Sequence, residues 1–132
     1  MNAYVDANVF FLATFGSGEK SGKAEKLLRN IEDGRTTGIT CSLALDELMW
    51  AVLKQKKGYR LAEAVGYVYA LPNMHVVDTP AHAPLEALKL MEEYGLRPRD
   101  AIHAAVMKHH GLTTIYSDDA DFDRVKGIKR TF

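Results

Sequence analysis

Carboxylates recur in this chain where apolar runs give way to polar turns or helices. Asp6 closes the run Ala3-Tyr4-Val5, Glu47 and Asp100 stand in helical stretches, and Asp118, Asp119 and Asp121 follow Thr113-Thr114-Ile115-Tyr116-Ser117. Several carboxylates share a small space only when cations offset their repulsion, and oxygen-only pockets suit Mg²⁺ or Mn²⁺. The chemistry such ions support best is hydrolysis of phosphate esters.

Each acid has a plainer explanation that must be weighed. Asp6 or Asn8 could cap the helix predicted from Ala7 onward, since both residue types are favoured caps. Asn8 alone could fill that role and leave Asp6 free at the carboxyl edge of a parallel sheet, where ligands bind. Glu47 lies opposite the stripe Leu45, Leu48, Met49, Val52 and beside Leu43, Trp50 and Ala51. A carboxylate among apolar neighbours is costly unless paired or metal-bound. Periodicity does not separate Glu47 from Asp46. Asp100 falls in the first turn of a helix opened by Pro98, where the dipole favours an acid whatever its function. Four acids between Ser117 and Asp123 exceed what a turn needs, and the segment lacks the glycine and terminal glutamate of a calcium loop. Arg97 and Arg99 are placed to reach phosphate, and Lys54, at the end of its helix, is a further candidate RNA contact. The five histidines show no His-Glu-x-x-His pairing and read as structural or surface residues; Cys41 has no activating partner visible in the sequence.

The elements that would position these groups alternate. Strands are predicted at Asn2-Ala3-Tyr4-Val5-Asp6, Gly38-Ile39-Thr40-Cys41, Met74-His75-Val76-Val77 and Thr113-Thr114-Ile115-Tyr116. Between them, Ala24, Leu27, Leu28 and Ile31 repeat at helical spacing, as do the Leu45 stripe and Leu85, Leu88, Leu90 and Met91. Strands alternating with helices predict parallel pairing in a layered α/β domain. Phe15 to Lys23 reads as an exposed loop entering the helical stretch Lys20 to Ile31; its Gly22-Lys23 lacks the first glycine and the hydroxyl of a nucleotide loop.

The 132 residues suffice for one domain, 1–132. A single cysteine and the lack of an apolar span predict a cytoplasmic protein with no membrane segment. The formal charge is zero, yet setting four of the 17 acids aside for metal leaves 13 against 17 bases, a surplus that permits a phosphate backbone.

Taken in order, Tyr4-Val5-Asp6-Ala7-Asn8-Val9, Leu45-Asp46-Glu47-Leu48, Arg99-Asp100-Ala101-Ile102-His103-Ala104-Ala105 and Tyr116-Ser117-Asp118-Asp119-Ala120-Asp121-Phe122 resemble the PIN-domain nucleases, VapC-type toxins most of all. The resemblance spans nearly the whole chain. It implies a three-layer fold with a parallel five-stranded sheet flanked by helices, and Mg²⁺ or Mn²⁺ at three or four acids that cleave RNA. Asp6, Glu47 and Asp100 become the central acids, so the resemblance decides for Glu47 over Asp46. It places the fourth acid at Asp119, with Asp121 as helper and Asn8, Ser117 and Asp118 in support. It further implies a homodimer and an antitoxin that obstructs the site. Water as nucleophile would leave 5′ phosphate and 3′ hydroxyl ends. The alternatives are a haloacid-dehalogenase-like phosphatase with Asp6 as nucleophile, against which Asn8 stands where that family's acid/base Asp is expected, and a non-catalytic RNA-binding module.

Overall fold

A computed structural model describes residues 1–132. The elements run β1 (Asn2–Val5), α1 (Ala7–Phe15), α2 (Gly18–Glu32), β2 (Thr37–Cys41), α3 (Ser42–Lys54), α4 (Leu61–Ala70), β3 (Met74–Val77), α5 (Ala83–Tyr94), α6 (Pro98–His109), β4 (Thr114–Tyr116) and β5 (Lys129–Thr131). All five strands are parallel in the order β3-β2-β1-β4-β5. The predicted α/β class, with helices on both faces, is therefore observed.

The sheet is buried on two sides because side chains alternate along each strand. Ala3 and Val5 join the core made by α1 to α4, while Tyr4 points the other way, into the core with Val106 and Met107 of α6. No helix is long and apolar enough to cross a membrane.

Three local expectations change. β5 was not visible in the sequence: Lys129-Arg130-Thr131 has no apolar alternation, as suits a short charged strand at a sheet edge. The expected loop from Phe15 to Lys23 shrinks to Gly16-Ser17, because α1 continues to Phe15 and α2 starts at Gly18. On α5 the buried residues are Ala83, Ala87 and Leu90, whereas Leu85 and Leu88 stay 68% and 63% exposed. Small residues bring α5 against Ala101, Ala104 and Ala105 of α6, and this close packing turns the larger leucines outward.

The order β3-β2-β1-β4-β5 has a consequence for ligands. From β1 the chain first builds outward to β2 and β3, then returns to add β4 and β5 on the other side. The strand order thus reverses between β1 and β4, and the crevice beyond their carboxyl ends is where open α/β sheets bind ligands. Asp6 leaves β1 there and Ser117 leaves β4 there.

Candidate active site

Asp6 follows directly from Val5 and is 5% exposed. Its Oδ1 accepts the Ala7 N–H at 2.7 Å, so it does cap α1; Asn8 lies inside the helix and does not. The cap consumes one oxygen only. Oδ2 accepts from the Ser117 hydroxyl at 2.6 Å and from Asn8 Nδ2 at 3.1 Å. Asn8 also donates to Ser117 Oγ at 3.2 Å and accepts the Asp118 N–H at 3.1 Å, while Ser117 Oγ accepts the Asp119 N–H at 3.0 Å. These bonds tie the end of β1 to the turn after β4 across the switch point.

That turn delivers Asp119. Its Oδ1 accepts the Asp121 N–H at 2.9 Å and starts a short 3₁₀ turn, Ala120–Arg124. Arg130 of β5 holds the segment from outside, donating to the Ser117 carbonyl at 3.1 Å and to both Asp123 oxygens. Asp118 faces away and pairs with Lys20 at 2.8 Å, so its contribution to the site is its backbone N–H.

Two groups of ligand atoms result. Asp100, Asp119 and Asp121 bring one carboxylate oxygen each within 4.8 Å of one another, and Asp6, Glu47 and His103 converge equally closely. A cavity of about 220 Å³ joins them, with Asp6, Asn8, Phe11, Glu47, Asp100 and Asp119 on its walls. It continues into a cleft of about 390 Å³ that shares Glu47, Asp100 and Asp119 and adds Arg97 and Arg99. Glu47 therefore points into the site, and Asp46 is exposed on α3. Lys54 is exposed at the end of α3 and lines neither space. A larger cavity, about 420 Å³, lies beside α5 and α6, but no group of converging carboxylates serves it.

His103 and Cys41 are the residues that sequence reasoning missed. His103 is fully buried beneath Glu47, to which Nε2 is hydrogen-bonded. Its Nδ1 lies 2.6 Å from the Tyr4 hydroxyl, which also meets Cys41 Sγ at 2.9 Å. The available signal was position: His103 stands three residues after Asp100, on the same face of α6.

The electrostatics follow from crowding. Burial raises Asp6, and Glu47 adds to the rise, against the pull of His103 and the Ser117 hydroxyl. Asp100 is pushed up to about 6, by burial first and then by Asp119 and Asp6. Burial alone would push the His103 imidazole down, but the Cys41 and Glu47 side chains and the charge of Asp6 raise it to about 10. Burial likewise pushes the Cys41 thiol up, yet hydrogen bonding with His103 and Tyr4 brings it down to about 7. Carboxylates whose ionisation is opposed by one another form a set that a divalent cation would relieve, and a donor set of carboxylate oxygens fits Mg²⁺ or Mn²⁺.

A sequence model of the PIN domain matches residues 3–128. The chain belongs to the PIN domain family. It is similar to a VapC ribonuclease of Mycobacterium bovis and to ribonuclease VapC13 of Mycobacterium tuberculosis, each 27% identical over 128 residues, 96% of either chain. Among solved structures, it superposes on Mycobacterium tuberculosis VapC20, a sarcin-ricin loop cleaving toxin, with a TM-score of 0.73 at 21% identity and 92% coverage of both chains. VapBC2 of Rickettsia felis, bound to a DNA fragment from its promoter, gives 0.76 at 18% identity, with 99% of this chain and 98% of that one covered. A toxin-antitoxin complex from Klebsiella pneumoniae gives 0.68 at 19% identity, with 96% and 95% covered. At such identities these structures speak for the fold, and the PIN assignment rests on the sequence match. That match speaks against the phosphatase alternative.

Proposed function

We propose that this chain, acting as one domain, is a Mg²⁺- or Mn²⁺-dependent endoribonuclease and the toxin of a VapBC-type pair. The observation that carries the reading is the convergence of Asp6, Glu47, Asp100 and Asp119 on one cavity at the switch point, with Asp121 beside them. These residues are drawn from four separate segments of the chain, and capping accounts for only one oxygen of Asp6 and one of Asp119.

Asp6, Glu47, Asp100, Asp119 and Asp121 would hold the ion or ions. Bound there, a divalent ion supplies charge neutralisation and makes water nucleophilic at neutral pH. The chain's own residues do the rest. Ser117 and Asn8 fix Asp6, so its carboxylate does not rotate when the substrate arrives. Arg97 and Arg99, on the wall of the cleft, attract the phosphate backbone that the acids would otherwise repel. With water as nucleophile the products carry 5′ phosphate and 3′ hydroxyl ends.

Support for a toxin comes from the similarity to VapC ribonucleases and from neighbours that are themselves toxin-antitoxin complexes. An antitoxin that covers the cleft, and work in the cytoplasm, follow from that reading. So does a homodimer, for which Trp50 and Leu53 on α3 and Leu85 and Leu88 on α5 offer large exposed apolar side chains.

The test is cleavage of a mixed pool of structured and unstructured RNA by wild type and Asp6→Asn, with Mn²⁺ and then with EDTA, reading the product ends. Cutting should need the ion, vanish in Asp6→Asn and leave 5′ phosphates. Cyclic 2′,3′-phosphate ends would refute the mechanism, and binding without cutting by folded, inhibitor-free protein would favour the RNA-binding module.

A further inference from the structure

We propose that His103 is a positioning residue for Glu47: through a chain of buried hydrogen bonds it fixes the glutamate carboxylate relative to Asp6 and Asp100. The proposal rests on the metal-dependent nuclease reading and assigns a role to a residue outside its set of acids.

Neither Glu47 nor Asp100 bonds to the backbone, and of the two only Glu47, on the longer side chain, has a hydrogen-bond partner, His103. Glu47 sits near the middle of α3, on a side chain with three rotatable bonds, and its side chain is 21% exposed. Left to itself it would sample many rotamers, and ordering such a side chain has an entropic cost. Its hydrogen bond to His103 Nε2 removes that freedom.

The bond can position only if the imidazole is itself immobile, and it is. His103 has no exposed surface. Its other nitrogen meets the Tyr4 hydroxyl at 2.6 Å, and that hydroxyl meets Cys41 Sγ at 2.9 Å. Tyr4 is on β1, two residues before Asp6; Cys41 ends β2; His103 is on α6, three residues after Asp100. The imidazole is therefore referenced to the same strand that presents Asp6 and the same helix that presents Asp100. A histidine serving the core alone would need partners for its two nitrogens, but would not need one of them to be a carboxylate open to the active cavity.

The test is a double-mutant cycle on Mn²⁺ affinity, read by electron paramagnetic resonance, and on RNA cleavage, with His103→Gln, Glu47→Gln and the pair. Removing a residue that orients a ligand typically lowers metal affinity or activity about 10–100-fold. His103→Gln should do so in the wild-type background, with kcat falling and KM for RNA little changed. In the Glu47→Gln background it should cost less than about twofold, because residues that act through one another are non-additive. Tyr4→Phe, which deletes only the hydroxyl, should give a smaller loss of the same kind and decides the matter if His103→Gln does not fold. Equal losses in both backgrounds, or Tyr4→Phe indistinguishable from wild type, would overturn the positioning role while leaving the nuclease intact. Wild type that neither binds Mn²⁺ nor cuts RNA would instead sink the nuclease reading, and this proposal with it.

Discussion

Replacing Asp100 by asparagine should make the metal-free protein more stable while abolishing its activity. Asp100 titrates at about 6 in the folded chain against an ordinary 3.8, because burial and the charges of Asp119 and Asp6 oppose its ionisation. A tenfold change in an ionisation constant is worth about 1.4 kcal/mol, which puts the cost of the folded carboxylate at roughly 3 kcal/mol at neutral pH. Asp100 is half-buried and opens on the cleft, so solvent screening reduces this to about 1–2 kcal/mol. For a chain of this length that corresponds to a rise in Tm of about 3–8 °C. The pH dependence fixes the sign. Below 3.8 the group is protonated in both states and costs nothing; the penalty grows as pH rises from there to about 6, and is complete above. Thermal unfolding in EDTA should show Asp100→Asn above wild type at pH 7.5, with the gap closing toward pH 4. Added Mn²⁺ should raise wild type at pH 7.5 and leave the variant nearly unmoved. A variant no more stable than wild type at pH 7.5, or a gap that does not narrow on acidification, would refute the claim that burial and the neighbouring acids oppose the ionisation of Asp100.

Two other substitutions probe the scaffold. Ser117→Ala removes the donor to Asp6 and the acceptor for Asn8 and the Asp119 N–H; Mn²⁺ affinity and RNA cleavage should both fall about 10–100-fold, with circular dichroism unchanged. Gly38→Ala places a methyl group 2.7 Å from Met74 Cε and 2.8 Å from Ile31 Cδ1. Both close atoms are the far ends of buried side chains that can yield in part, so urea unfolding should register a loss of about 1 kcal/mol, at the low end for overpacking, with the site unaffected.

Much of this architecture was legible in the residues. The strand at Ala3-Tyr4-Val5 and the helical stripe Ala24, Leu27, Leu28, Ile31 follow from local periodicity, which each segment carries within itself. The strand-then-acid junctions at Asp6 and Ser117 follow from the same patterns plus the rule that parallel strands end at one edge. Local pattern is silent wherever a choice depends on what packs opposite. Periodicity left Glu47 and Asp46 open and only the family resemblance chose Glu47; what holds Glu47 in the site belongs to α6, where His103, 56 residues away, meets it. Asp118 left the acidic group through Lys20, 98 residues away. Leu85 and Leu88 fit a helical stripe as well as Ala83 and Ala87 do, and only the close approach of α5 to α6 decides for the alanines. The sequence determined which residues could do this chemistry and at which edge they would gather. Tertiary contact decided which of them face one another and what holds them still, since a side chain's partner across the fold is set by packing between elements that local sequence cannot place.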